Sequence, residues 1–237
     1  MGRCMRQRQI ILSIGGGGFT HGTDPELDDF CLRFLPPRPA IGYLGWANND
    51  DETRLLRFHA RFEGKADSLS HLPLGASSAQ VRAWVKGKNL IYLAGGNTAD
   101  LLVAIQAAGA LPILRSANKA GCVLAGVSAG GVCWFDWILS DSGGLGYQPI
   151  AGLSLAKGGI CPHFSSEPDR KSKLEHSLLE RGGGTAIAVD DSACLVTING
   201  IAQSYFSAQP DRAAHGLTVQ AGFVTYNRLP EFSVNWV

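Results

Sequence analysis

The sequence predicts an α/β fold, a doubly wound and mostly parallel sheet flanked by helices in a three-layer sandwich, with an antiparallel β-hairpin extension near the C-terminus. Two patterns carry this expectation. Short, continuously apolar runs alternate with helical stretches over the first 180 residues or so, as strands covered on both faces do. From Thr185 onward the apolar runs follow one another directly, and Asn199-Gly200 stands between two of them, a strong hairpin signal.

Residues 9–14 read as the first strand, after which Asp24-Pro25-Glu26 opens a helix with a capping carboxylate and proline at its first position. Residues 40–46 form a second strand and 52–62 a charged amphipathic helix. A short strand at 70–74 and a helix at 77–86 lead to the apolar strand 89–94. That strand ends in Gly95-Gly96-Asn97-Thr98, whose polar pair suits the cap of a helix over 99–108. A helix near 113–119 precedes the strand starting at Val123, and the apolar stretch from Val132 to Leu139 is helix-compatible. Strands are expected at 186–189, 193–198 and 201–206, with one or two more within 218–226. No linker, repeat or low-complexity tract divides the chain, so residues 1–237 are expected to form one domain.

Composition excludes more than it identifies. Among 237 residues, 21 basic and 20 acidic side chains leave a formal charge of +1, which gives no reason to expect nucleic acid or an anionic membrane as partner. No apolar run approaches membrane-spanning length. The start, Met1-Gly2-Arg3-Cys4-Met5-Arg6-Gln7-Arg8, is basic, but the apolar run behind it collapses into Gly15-Gly16-Gly17-Gly18, too short for a signal peptide. The six cysteines form no CxxC pair and read as reduced, mostly structural thiols of a cytoplasmic protein. With no HExxH and no cysteine–histidine cluster, neither a metal nor an organic cofactor is expected.

The stretch Val123-Leu124-Ala125-Gly126-Val127-Ser128-Ala129-Gly130-Gly131 is the most telling in the chain. An apolar strand running into Gly-x-Ser-x-Gly and then into an apolar segment is the context of a nucleophile elbow, with Ser128 the nucleophile. A tight strand-to-helix turn with a small capping serine is the plainer alternative. In open α/β sheets, sites form at the carboxyl ends of strands. Gly95-Gly96 and the amide of Ala129 could form an oxyanion hole there, although Gly95-Gly96 reads equally well as a glycine turn before a helix. The first glycine run fits neither nucleotide fingerprint and suits a backbone passing close to a substrate.

A serine nucleophile needs a base and a group to orient it. His163 stands out, because Gly158-Gly159-Ile160-Cys161-Pro162-His163-Phe164 reads as a strand delivering a histidine at its tip. His59 and His176 lie in charged helical patterns and read as surface residues, while His21 could line the site. Asp141, in the polar turn after the elbow, is a candidate orienter, or simply a cap. A rival order, Ser128 with Asp190 or Asp191 and His215, would follow the α/β-hydrolase sequence of residues.

Leu93-Ala94-Gly95-Gly96-Asn97-Thr98, Gly126-Val127-Ser128-Ala129-Gly130, Cys133-Trp134-Phe135, Ser140-Asp141-Ser142, Cys161-Pro162-His163-Phe164 and Val189-Asp190-Asp191 together resemble the peptidase E family of serine peptidases. That family includes cyanophycinase-type enzymes and has a fold similar to class I glutamine amidotransferases. The resemblance implies Ser128 as nucleophile, His163 as general base and Asp141 as the acid, with oxyanion donors at Gly95, Gly96 and Ala129. It further implies a dipeptidase acting on N-terminal aspartate. Asn97 and Thr98 are expected at the substrate site, and Arg170 at the position of an arginine that pairs with the acidic side chain. The expected partner is a small peptide, with the protein a monomer or homodimer. Three alternatives stay open: a cyanophycinase-like hydrolase of β-linked aspartyl peptides, an α/β-hydrolase-type esterase using His215, and a non-catalytic amidotransferase-like binding module.

Overall fold

The computed structural model describes residues 7–233. The basic stretch Met1 to Arg6, with Cys4, lies outside them. The described residues form thirteen strands: β1 (Ile10–Ile14), β2 (Ala40–Leu44), β3 (Ser68–His71), β4 (Leu90–Leu93), β5 (Val123–Val127), β6 (Phe135–Ser140), β7 (Gln148–Ala151), β8 (Ala156–Cys161), β9 (Thr185–Val189), β10 (Ala193–Ile198), β11 (Ile201–Ser207), β12 (Ala214–Gln220) and β13 (Phe223–Arg228). Between them run the helices α1 (Pro25–Leu32), α2 (Glu52–Phe62), α3 (Ser78–Trp84), α4 (Thr98–Ala107), α5 (Leu111–Lys119), α6 (Ala129–Val132) and α7 (Asp169–Glu180).

The α/β class and the mostly parallel pairing are as the sequence predicts, but the strands sort into two sheets. The first has the order β11-β10-β1-β5-β4-β2-β3, and the second β13-β12-β9-β8-β6-β7. In the first, β1, β5, β4, β2 and β3 run parallel, and the Asn199-Gly200 hairpin adds β10 and β11 antiparallel on the β1 edge. In the second, β6, β8 and β9 are parallel neighbours.

Period-two alternation divides the core of the first sheet. Leu12, Ile14, Tyr92, Val123 and Val127 face one cluster, in which Phe58 and Phe62 of α2 meet Phe19 and Tyr43. Ile11, Ile91, Leu93 and Leu124 face another, which takes in Leu101 and Ile105 of α4 as well as Phe135, Ile138, Ile160 and Ile187 of the second sheet. That shared cluster joins the two sheets.

Helix starts follow local chemistry. Asp51 and Asn97 accept from the N–H groups of Arg54 and Asp100, and Ser77 forms a capping box with Gln80. Asp24 differs from expectation. It sits in the left-handed region with φ 47° and makes no side-chain cap; its carboxylate instead accepts from Ser192 and Gln209. The helix expected from Val132 to Leu139 is also absent. Only one turn, α6, follows the elbow, and the aromatic and branched run Phe-Asp-Trp-Ile-Leu pairs as β6, consistent with its strand propensity.

Candidate active site

Ser128 terminates β5 at φ 49° and ψ −123°, a conformation that costs a residue with a Cβ about 1–3 kcal/mol. The surroundings hold it there. Its N–H donates to the Ile14 carbonyl at 2.9 Å, and its own carbonyl accepts from Gly131 and Val132. The flanking glycines are dictated by contact: a Cβ on Gly126 would lie 2.5 Å from the Gly130 carbonyl, and one on Gly130 only 2.2 Å from the Leu93 oxygen.

His163 follows β8 at φ 51°, also left-handed. Its Nε2 lies 2.9 Å from Ser128 Oγ, and its Nδ1 lies 2.7 Å from Asp191 Oδ1. Asp191 follows β9, the parallel neighbour of β8. Burial would raise its carboxyl, but hydrogen bonds from His163, Ser166 and Ser165 outweigh that and pull it down to about 2. An ionised carboxylate only accepts, so Nδ1 carries the proton. In the neutral ring Nε2 is then a free acceptor, to which the Ser128 hydroxyl can donate. Backbone at Gly16 closes the far side of this pair: a Cβ there would sit 1.9 Å from Asp191 Oδ1 and 2.8 Å from His163 Nδ1. The first glycine run thus makes its close approach to the histidine–aspartate pair.

Asp141, expected as the orienting acid, does not hold that place. The physical reason lies in the strand order, which puts β8 between β9 and β6. Ile160 is in register with both Ile187 and Ile138, so Asp191 and Asp141 emerge on either side of the histidine, and it is Asp191 that bonds to Nδ1. Asp141 instead lines a cavity of about 320 Å³ with Ser128, Gly96, Asn97, Thr98 and Arg170. Asn97 caps α4, and the N–H of Ala99 donates to Ser142 Oγ, which fixes the turn carrying Asp141. Of the two glycines expected as oxyanion donors, Gly96 lines the cavity, while the Gly95 carbonyl faces Asn48 and Arg54. Ala129 follows Ser128 as the first residue of α6 and is buried.

Arg170, in the first turn of α7, is only 5% exposed. Its guanidinium lies 4.6 Å from the Tyr147 ring centroid; Nε donates to Glu167 at 2.9 Å and Nη1 to the Leu139 carbonyl at 3.2 Å. Tyr147 in turn donates a short hydrogen bond to the same Glu167 oxygen, which pushes the Tyr147 hydroxyl up to about 12. The Arg170 and Tyr147 hydrogen bonds, against the opposing effect of burial, hold the Glu167 carboxyl below its usual range.

Among the described residues, no other histidine bonds to Ser128. His215 pairs with Asp190 at 3.5 Å, so the rival arrangement is not assembled around Ser128. His59 is exposed and His176 pairs with Glu180 on the surface of α7. The exposed His21 meets the Gly17 backbone, its ring centre 6.2 Å from that of His163. Cysteines 31, 122, 133, 161 and 194 are buried and free.

A serine on a strained strand-end turn, bonded through histidine to a carboxylate, is the arrangement that serine hydrolases use. The chain belongs to peptidase family S51, whose model matches residues 11–205, and it is a serine-type peptidase. It is 35% identical over 192 residues to "Uncharacterized peptidase YgaJ" of Bacillus subtilis (strain 168), a match covering 80% of this chain and 83% of that one. The fold is similar to the crystal structure of a peptidase from an acI-B1 Actinobacterium, with a TM-score of 0.68, 17% identity and coverage of 94% and 95% of the two chains. It is also similar to a "Putative Peptidase E Protein" from Listeria monocytogenes EGD-e, with a TM-score of 0.59, 15% identity and coverage of 94% and 99%. Among the described residues, no single helix is long and apolar enough to cross a membrane.

Proposed function

We propose that the protein hydrolyses short peptides, dipeptides with N-terminal aspartate foremost, by acyl transfer to Ser128. The observation that carries this reading is His163, bonded on one side to Ser128 Oγ and on the other to Asp191. His163 Nε2 takes the serine proton as Oγ attacks the scissile carbonyl, and Asp191 holds the tautomer and stabilises the imidazolium. The amides of Gly96 and Ala129 receive the oxyanion. His163 then protonates the leaving amine, and water resolves the acyl-enzyme.

The cavity favours a small zwitterionic ligand. Its volume is at the low end for ligand sites, suited to a dipeptide more than to a polymer. Its walls carry one guanidinium, Arg170, and one carboxylate, Asp141. With Nε engaged by Glu167 and Nη1 by the Leu139 carbonyl, Nη2 of Arg170 is left to meet an acidic side chain. Asp141 then meets the α-ammonium, a role in recognition in place of the catalytic one expected from sequence. The five cysteines among the described residues are free, which accords with a cytoplasmic location.

The test is hydrolysis of a panel of X-Leu dipeptides by wild type and Ser128→Ala. Asp-Leu should be cleaved in preference, and S128A should lose a factor of roughly 10⁴ or more in kcat. Wild-type-like turnover by S128A would end the acyl-enzyme reading, and indifference to the N-terminal residue would end the aspartyl one.

A further inference from the structure

We propose that Arg54, assisted by Asn48, is a positioning residue for oxyanion stabilisation, acting through the Gly95–Gly96 peptide. The inference rests on Ser128 being the nucleophile, and concerns how the charge formed by its attack is held.

The segment around the start of α2 is built against this one peptide. Arg54 Nη1 donates to the Gly95 carbonyl at 2.7 Å, and Asn48 Nδ2 donates to the same oxygen at 3.1 Å. The segment that carries the two donors is itself fixed. Asn48 Oδ1 accepts from the Asp51 N–H at 3.1 Å, which settles the amide orientation, and Asp51 Oδ1 accepts from the Arg54 N–H at 2.9 Å. One residue further, the Asn97 N–H donates to the Ala47 carbonyl at 2.8 Å. Gly96 lies at φ 149°, and a Cβ on it would stand 2.1 Å from the Ala47 oxygen, so only glycine lets the two backbones meet.

In a trans peptide the N–H points away from the carbonyl. Anchoring the Gly95 oxygen on Arg54 and Asn48 therefore turns the Gly96 N–H to the opposite side, and Gly96 lines the cavity that also contains Ser128. A guanidinium on a carbonyl also draws electron density through the amide, making its N–H a stronger donor, since hydrogen bonds in a chain polarise one another. That gain grows as negative charge develops on the substrate oxygen. The effect of Arg54 belongs to the transition state more than to substrate binding.

The experiment compares wild type with Arg54→Ala, Arg54→Met, Arg54→Lys and Asn48→Ala, each first checked by thermal unfolding. Three rates are read: Asp-Leu hydrolysis, hydrolysis of p-nitrophenyl acetate, and labelling of Ser128 by a small fluorophosphonate. Each of these builds negative charge on an oxygen beside Ser128, whereas only Asp-Leu uses the cavity walls. Removing a direct oxyanion donor costs about 10²–10³ in kcat, so removing the group behind one should cost on the order of 10- to 100-fold. R54A and R54M should show that loss in kcat with KM changed by less than about 2-fold. Ester hydrolysis and labelling should fall by a similar factor, R54K should recover part of the loss, and N48A should lose less than R54A. Unchanged kcat in folded R54M overturns the proposal, as does a loss confined to Asp-Leu or to KM. Should Asp-Leu prove not to be a substrate, the aspartyl reading fails on its own, and the ester and labelling rates still decide the role of Arg54.

Discussion

His163 Nδ1 and Asp191 Oδ1 lie 2.7 Å apart, and 28 residues of sequence separate the two side chains. The contact joins the tips of adjacent parallel strands, β8 and β9, and it assigns the tautomer of the histidine that faces Ser128.

Replacing Asp191 by asparagine tests that contact. The amide of D191N keeps the shape but can turn an N–H₂ toward Nδ1, which favours the wrong tautomer and leaves Nε2 protonated. Loss of the orienting carboxylate in this way lowers kcat by roughly 10⁴-fold. Asp141→Asn should behave otherwise, raising KM for Asp-Leu about 10- to 100-fold with a modest effect on kcat, as loss of uniform binding does. Steady-state kinetics on both variants separates the roles. A collapse of kcat in D141N with D191N nearly intact would restore the assignment read from sequence.

Much of this site was legible in the sequence because it is written locally. The elbow glycines, the strand-tip histidine and the glycine pair before α4 each announce themselves within a few residues. The acid was not legible in the same way, because it depends on which strand lies beside β8. Val189-Asp190-Asp191 carried the signal, since consecutive parallel strands usually pair. The polar turn at Asp141 carried an equally good one, and both strands do flank β8. Arg54 and Asn48 were invisible for a related reason: their target, the Gly95 carbonyl, is some forty residues away and has no side chain to mark it. The division into two sheets escaped for want of any local marker. The short α6 was misread because apolar residues at 132–139 suit a buried helix and a buried strand alike.

Arg170 supplies a test of specificity. It is clamped at Nε by Glu167, at Nη1 by the Leu139 carbonyl and on its face by Tyr147. A lysine in its place keeps the charge but neither the fork nor the stacking. Arg170→Lys should therefore lose nearly as much as Arg170→Ala against Asp-Leu. Truncating one partner of a buried charged pair costs about 2–5 kcal/mol, hence about 30-fold to a few thousand-fold in kcat/KM. Asn-Leu should lose much less, and fluorophosphonate labelling of Ser128 should persist in folded protein. A lysine variant equal to wild type on Asp-Leu would mean that the cavity reads charge alone, without the geometry of the guanidinium.

Asp28 sets a pH dependence of stability distinct from that of the site. It is fully buried beneath the first glycine run; Oδ2 accepts from the Phe19 N–H at 2.9 Å and from Arg61 at 3.1 Å, while Oδ1 has no partner. Burial raises its carboxyl from 3.8 to about 6, although Arg61 and the Phe19 N–H pull the other way. A raised carboxyl means that the folded state binds the proton more tightly than the unfolded chain does. Its contribution is fully present below the unfolded value near 3.8 and is lost as pH rises through about 6. A shift of that size corresponds to something on the order of 3 kcal/mol, at ~1.4 kcal/mol per unit. Asp28→Asn removes the titration while its amide oxygen can still accept from Phe19. Arg61 retains Asp29, 2.6 Å away. In urea unfolding, wild type should therefore gain stability relative to D28N as pH falls from 7 to 4.5, and the variant should equal or exceed wild type near neutrality. A difference between the two that stays constant over that range would show that Asp28 remains ionised throughout, held by Arg61 more strongly than burial opposes it.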